Sequence, residues 1–415
     1  MSRPIRPFVF LLALGGATLL AAGSPRRALP ACDPDNGGLD LPDGFCAVLV
    51  AEAAGPVRHL AVAPNGDIYA ALSGRRGGES GVLALRDTDG DGKADLTRRF
   101  GREGGSGLAL YRDWLYFATD DGVIRWRRDA GQLEPSGEPE VIVRGLPTGG
   151  HGAKGLVIRN DTSLFISIGS RTNSCQVADR RPRSPGQDPC PELATRAGIW
   201  RFSAVRPNQS QQDGERFATG LRNPMAMALQ PGSGALYAAM HGRDQLGANW
   251  GYSDQDNAEK PAEEFVLVNR GDDFGWPYCY YDPIQKKKVL APEYGGDGRE
   301  TGRCGDRKDP VIGFPGHWAP NDIVFYDGSR FPARFRGGVF LAFHGSWNRA
   351  PLPQAGYKVV FAPFRDGRAT GEWIDFATAR GNPVGIRPSG LAVGPDGSLY
   401  LAADQNGKIW RIMTK

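Results

Sequence analysis

A short strand-turn-strand module recurs along this chain, and that repetition constrains the fold more than any other feature. Its clearest form spans residues 390–413, GLAVGPDGSLYLAADQNGKIWRIM. Two strand-like segments, LAV and SLYLAA, alternate apolar with small residues around Pro395-Asp396-Gly397, which supplies hairpin geometry, and a second turn leads into a third strand. Related copies are LAVAPNGDIYAAL from Leu60, GLALYRDWLYFAT from Gly107, GLVIRNDTSLFISIG from Gly155 and MAMALQPGSGALYAAM from Met225, with a looser pairing of DIVFYDG (from Asp322) and VFLAF (ending at Phe343). Copies start about 48 residues apart or up to nearly twice that, so the repeats carry insertions. One such sheet cannot bury both of its faces alone, and repeats of roughly this period are blades. The sequence therefore predicts an all-β chain: a six-bladed β-propeller with four-stranded antiparallel blades, long decorating loops and a central channel.

Arg3 and Arg6, an apolar run from Phe8 to Leu20 and the small residues Ala21, Ala22 and Gly23 predict a signal peptide over 1–23. Its apolar core is too short to span a bilayer, and no other stretch is apolar enough to do so. Residues 24–45, rich in Pro, Gly and Asp, read as an extended lead-in stapled by Cys32, and 46–415 as one propeller domain, periplasmic or secreted. Cys32, Cys46, Cys175, Cys190, Cys279 and Cys304 suit that compartment as disulfides. Sequence neighbours would close short loops, but spacing alone leaves the pairing open, and the absence of a CxxC argues against zinc. A net charge of +4 is mild, and the clusters Arg180-Arg181-x-Arg183 and Lys286-Lys287-Lys288 read as solvated surface rather than a nucleic-acid patch.

Two insertions, 171–192 and 245–307, carry cysteines and many Gly, Pro and Asp residues, as loops decorating one face would. Between VLAL and LTRRF lies DTDGDGKAD. Asp87, Asp89, Asp91 and Asp95 sit where an oxygen-rich calcium loop places ligands, with Gly92 at the turn and Arg98 where the bidentate Glu would stand. The alternatives are a structural Ca²⁺ and a plain polar turn.

The five histidines are the most informative residues. His59, His151 and His317 fall just before the first strand of a module, and His241 and His344 directly after a second strand. Those positions share one end of an antiparallel hairpin, so all belong to one face. Arg222-Asn223, Trp318, Asn321 and Arg387 occupy the same register. If first strands line the channel, these side chains converge on a cationic axial pocket that wants an anionic, planar ligand. Singly, each has a plainer role: His59 and His344 could bond loop carbonyls, and Trp318 could sit in the core. Their shared register is what favours a pocket.

At GLRNP (220–224), with His151 ahead of GLVI, the chain resembles the soluble pyrroloquinoline-quinone-dependent aldose dehydrogenases of the glucose/sorbosone dehydrogenase family. The likeness continues through HGRD (241–244), FGWPYCYYD (274–282), GHWAPNDIVFYDG (316–328) and FPARFRGGVFLAFHGSWNR (331–349). The last two motifs look like the sorbosone-dehydrogenase-like branch, and the resemblance covers nearly all of the chain after the signal peptide. It implies a quinone with three carboxylates lying on a flat, cationic surface. Arg222 and Asn223 match cofactor contacts, Trp318 a ring packing on the quinone, and Arg387 a carboxylate-binding arginine. Asn348 stands at the family's cofactor lysine, with Arg349 as a possible substitute. The backbone carbonyls of Gly242 and Arg243 match the segment holding a catalytic Ca²⁺. His151 matches the general base, and Arg222 is placed to stabilise charge on the reduced quinone oxygen.

The chain departs from the glucose enzymes at Ser170 (their orienting carboxylate), Gly152 (their glutamine) and Ser389 (a second arginine). Glucose itself is accordingly a weak substrate candidate. The expected function is hydride transfer from an aldose, sorbosone-like aldehyde or related polyol to the quinone, in a monomer or homodimer. No CxxCH is present to bind a haem, so electrons leave to a separate acceptor. A non-catalytic carbohydrate- or protein-binding propeller is the alternative. A Ca²⁺-dependent lactonase-type hydrolase would need carboxylates where this register carries His, Arg and Trp.

Overall fold

The computed structural model describes Met1 and residues 30–52, 55–74, 77–381 and 383–415, so the expected signal peptide, apart from Met1, lies outside the described residues. Six antiparallel blades surround a channel. Their innermost strands are Val57–Val62, Gly105–Tyr111, Leu156–Ile158, Ala226–Leu229, Pro320–Phe325 and Pro388–Val393, numbered here as blades one to six. Each innermost strand touches the next right around the ring.

Blades one to five run outward in chain order, whereas blade six is assembled from both ends of the chain. Pro388–Val393, Leu399–Ala403 and Lys408–Thr414 are completed by Phe45–Ala51 as the outer strand. The ring is thus closed by hydrogen bonds between the N- and C-terminal strands, which pairs the C-terminal strand on both sides and leaves the N-terminal strand as the outer edge of the blade. The lead-in is not simply extended: it makes a 3-10 turn at Asn36–Gly38, and Leu39–Asp40 then pairs with the outer strand of blade five, Ile374–Ala379.

The core lies between blades as six hydrophobic clusters, one per interface. This explains the module's alternation. In Leu399–Ala403, Leu399, Leu401 and Ala403 pack toward blade five, while Tyr400 and Ala402 pack toward blade one. Both faces are covered, so the second strands are buried along their length but for the half-buried Trp114 that opens the one in blade two, unlike the exposed outer strand Leu96–Phe100. Alternation here encodes size rather than polarity.

One expected loop is divided. Residues 245–307 are interrupted by Glu263–Val268, the third strand of blade four. Its leading glutamates disguise it, but both are buried with partners: Glu264 binds Lys288 at 2.6 Å and Glu263 accepts from the Gly242 N–H at 3.0 Å. After this strand the chain returns parallel to the outer strand of blade three, bridging at Asp273 and Thr219, and so reaches the histidine end. There Trp276 donates to the Asn173 carbonyl at 3.0 Å, joining the two insertions.

The disulfides are Cys32–Cys46, Cys175–Cys190 and Cys279–Cys304, all between sequence neighbours. Three such bonds are the mark of a chain that matures outside a reducing cytosol. Among the described residues no helix is long and apolar enough to cross a membrane.

Candidate functional site

Four innermost strands start earlier than the module pattern implies, because each continues past a register shift toward the histidine end. The shifts fall at Val57/Leu60, Gly105/Leu108, Pro320/Asp322 and Pro388/Gly390. Such a bulge re-aims the side chains beyond it. His59 is therefore inside its strand rather than ahead of it. Its Nε2 lies 2.8 Å from the Asn321 carbonyl across the channel, the structural role anticipated for it.

His151 is held by the segment after the second strand of blade three. Its Nδ1 lies 3.0 Å from both the carbonyl and the hydroxyl of Ser170. A carbonyl only accepts, so Nδ1 carries the proton and Nε2 presents its lone pair. No described residue engages Nε2. Burial and the Arg222 charge hold the imidazole well below its ordinary pKa, which keeps it neutral. Ser170 thus replaces the absent carboxylate as the orienting group. Buried Lys154 pins the same loop by donating to the carbonyls of Asp120, Pro147 and Gly152.

Close packing leaves no side chain at residue 169. A Cβ there would lie 2.5 Å from the His151 carbonyl and 2.7 Å from its Cβ. Gly169→Ala is expected to displace His151, cost about 1–3 kcal/mol of stability and lower turnover; denaturant melts and steady-state rates check both. Gly220 of the GLRNP segment has φ 73° and lies against residues 273–275, where a Cβ would come 2.4 Å from Asp273 Oδ1.

Asp244 is the hub of the site. One carboxylate oxygen accepts from Arg180 at 2.9 Å and Arg222 at 3.1 Å, and the second accepts from Asn348 at 2.9 Å. Burial opposes its charge, yet Arg222 and Arg180 outweigh that and hold the carboxyl below its ordinary range. Arg222, 3% exposed, is also held by Asn173, through the backbone carbonyl at 3.1 Å and the side-chain oxygen at 3.0 Å. Its Nη1 has no partner among the described residues. His317, at φ 67°, donates through Nε2 to the Asn257 carbonyl at 2.7 Å and accepts from Asn348 at 3.2 Å. His241 donates to the Pro320 carbonyl at 2.9 Å, and burial followed by Arg222 lowers its pKa to about 3.

A second charged group joins blades one, five and six. Asp404 binds Arg58 at 2.6 Å and His344 Nε2 at 2.8 Å, and Arg387 lies 3.4 Å from His344 Nδ1 with Tyr357 beneath its guanidinium.

The structure does not bring two of the expected cofactor residues to this cluster. Trp318 is 8% exposed within the core between blades four and five, stacked on Phe314 with Lys358 Nζ 4.9 Å from its ring centre. The Arg349 guanidinium is fully engaged by the carbonyls of Ala258, Gly316 and Pro353 and by Glu259 at 2.5 Å. It clamps loops, and does not substitute for the lysine.

The groups that remain fit an anionic ligand beside a hard cation. The side-chain oxygens of Asn223 and Asn348 are buried without partners, Arg222 Nη1 is an unused donor, and the carbonyls of Gly242 and Arg243 accept no hydrogen bond from described residues. Beside those carbonyls, burial pushes the Glu263 carboxyl up to about 8.

In the acidic turn, Asp87, Asp89 and Asp95 converge to within 4.8 Å, whereas Asp91 caps the Lys93 N–H at 2.7 Å instead. Asp87 caps Gly90 and Gly92 and Asp95 binds Thr88, so the turn is braced by its own hydrogen bonds. A large cavity of about 980 Å³ opens at the opposite end of the ring around the hairpin turns. Its arginines Arg86 and Arg411 are tied to the carboxylates of Asp67 and Asp396 and Arg330 to the Asp396 carbonyl, and it holds none of the histidines.

Sequence reasoning missed Asp244, Asn173, Arg180 and Asp404. Asp244 stands in the HGRD motif and was the legible one. Asn173 and Arg180 sit in an insertion with no register to place them.

A protein-family model described as TrAA12-like matches residues 39–415. The aldose sugar dehydrogenase YliI of Escherichia coli K12 is 24% identical over 317 residues, 71% of each chain. A pyrroloquinoline quinone-dependent pyranose dehydrogenase of Coprinopsis cinerea is 31% identical over 169 residues, 33% of this chain and 22% of that protein. An uncharacterised Borreliella burgdorferi protein is 26% identical over 211 residues, and the match spans 48% of each. A Trichoderma reesei enzyme of carbohydrate-active family AA12 superposes with TM-score 0.76 at 18% identity, over 91% of this chain and 98% of that one. The holo pyranose dehydrogenase quinone domain of C. cinerea superposes at 0.73 and 19% identity, over 93% and 98%. At these identities the superpositions establish the six-bladed fold, and the family match extends from blade five's added strand to the last residue of the chain. The chain belongs to the TrAA12-like family, within the glucose/sorbosone dehydrogenase superfamily.

Proposed function

We propose that this protein is an exported, periplasmic or secreted quinoprotein sugar dehydrogenase, acting on an aldose, a sorbosone-like aldehyde or a related polyol. One observation carries the reading: His151 has a single tautomer set by Ser170, with an unused Nε2, in a site where Arg222 offers an unused donor.

Arg222, Asn223, Asn348 and Arg387 would hold pyrroloquinoline quinone, and the carbonyls of Gly242 and Arg243 would hold Ca²⁺. When bound, the quinone supplies a hydride acceptor and the Ca²⁺ a Lewis acid. His151 Nε2 takes the proton of the substrate hydroxyl as the hydride leaves the carbon bearing it. Arg222 places positive charge where negative charge grows, and Asp244 and Asn173 keep its guanidinium from swinging away. Trp318 and Arg349 support the surrounding loops. Electrons then pass to a separate acceptor.

The test is a titration of metal-stripped protein with pyrroloquinoline quinone, with and without Ca²⁺, followed by dye reduction across a panel of sugars. Tight Ca²⁺-dependent binding and sugar-driven reduction are expected. Absence of binding at micromolar quinone would sink the reading and leave a propeller that binds carbohydrate or protein without catalysis.

A further inference from the structure

Beside the channel mouth, the two insertions enclose a cleft of about 930 Å³ that contains none of the residues described above as the site. That volume lies at the upper end of ligand pockets and has room for more than one sugar ring. Trp250 and Tyr252, both half-buried, line it. The Trp250 indole N–H donates to Glu293 at 2.9 Å, and the Tyr252 hydroxyl meets that of Tyr280 at 3.3 Å. Their polar edges are therefore fixed, and their rings remain available as apolar surfaces. Gly298 lies so close that a Cβ would come within 3.1 Å of the Tyr252 hydroxyl.

The charges around these rings are unequal in a useful way. Asp256 is engaged by Ser253 at 2.9 Å and Lys260 at 2.8 Å, and Asp297 caps the Arg299 and Glu300 N–H groups at 2.8 Å each. Lys260 is further bound by Asp282 at 2.9 Å. The guanidiniums of Arg183 and Arg299, by contrast, donate no hydrogen bond to any described residue. Both are exposed, and Arg183 lies 5.8 Å from the Trp250 ring centre. An exposed cleft with aromatic surfaces, satisfied acids and two unused planar forks offers stacking to the C–H face of a pyranose and bidentate donation to carboxylates.

We propose that this cleft is a second carbohydrate site, which binds acidic oligosaccharides of linked hexuronate sugars by stacking on Trp250 and Tyr252 and clamping carboxylates with Arg183 and Arg299. It adjoins the channel through a continuous chain of contacts. Trp250 binds Glu293, Glu293 binds Arg243 at 2.6 Å, and Arg243 donates to the Asp244 carbonyl at 3.1 Å. A chain seated in the cleft would lie next to the channel mouth. The inference does not depend on the dehydrogenase reading.

Calorimetric titration of the full chain with trigalacturonate and with uncharged maltotriose tests it, in protein loaded with quinone and Ca²⁺ and in unloaded protein. The expected result is trigalacturonate binding at least tenfold tighter than maltotriose, weakened by salt and the same in both protein states. The double variant Arg183→Ala/Arg299→Ala should weaken it at least tenfold with an unchanged melting temperature, since both side chains are exposed. Trp250→Phe should remove the accompanying fluorescence change. Equal affinity for the two trisaccharides, or no binding, would overturn the proposal. So would binding that survives the double substitution, or that disappears when quinone fills the channel, since either places the ligand in the cationic channel.

Discussion

His151→Ala is expected to lower turnover by about 10²–10⁴-fold while leaving quinone binding intact. Among the described residues the imidazole bonds only to Ser170, so its removal deletes a proton acceptor without unpairing a buried charge. Single-turnover reduction of the bound quinone by sugar, compared with quinone affinity measured separately, checks the split. A variant that oxidised sugars as fast as the parent would remove His151 from the mechanism. The pH profile supplies an independent reading. The imidazole pKa lies well below the ordinary 6.5 through burial and Arg222, so the base stays deprotonated as pH falls through that value. The rate limb due to His151 should thus remain flat across pH 6–7 and fall only in more acid solution. A limb centred near 6.5 would mean that the base is a solvated histidine elsewhere.

Asp244→Ala is expected to destabilise the protein by about 3 kcal/mol, and to weaken quinone binding as well. The Arg222 side chain is 4% exposed and would keep its charge with only Asn173 as partner, while Arg180 would keep Gln245 and the more distant Asp179, and Asn348 would keep His317. The low end of the usual range for a broken buried pair is appropriate because Asp244 retains 14% side-chain exposure. Urea denaturation with and without quinone measures both effects. The sign against pH follows from the lowered carboxyl pKa. This stabilisation is complete above the unfolded value of about 4, and it is lost as pH falls toward the folded value. The parent should therefore lose stability on acidification below about pH 4, in a range where the variant has no such contribution to lose. Asp244→Asn retains the packing and one acceptor, and its stability should lie between the two.

The site was legible in the sequence to the extent that it followed the repeat. Histidines at the starts of first strands and the ends of second strands had to share a face, because antiparallel hairpins return their ends to one place. That argument found His151, Arg222, Asn223 and Arg387 without contacts. It failed to separate residues by where their side chains point. Trp318 shares the register of the pocket but packs into an interblade core, and Arg349, which only the family resemblance offered, clamps carbonyls. Asp244 carried no periodic signal of its own, and its partners Asn173 and Arg180 lie in an insertion whose path is set by packing against blade four.

By itself the sequence determined the blade as the unit, the count of six, the shared end of the histidines and the pairing of apolar with small residues, because all of these are local and recur with each copy of the module despite the insertions between copies. Only the tertiary structure decided how the ring closes, with Phe45–Ala51 completing the last blade some 360 residues away in the chain, since no local pattern records which distant strand will satisfy a free edge. It also decided which polar groups in the shared register face the channel. That depends on bulges, on the returning loop of blade four and on the competition of carbonyls for the same donors, all of them properties of the closed ring.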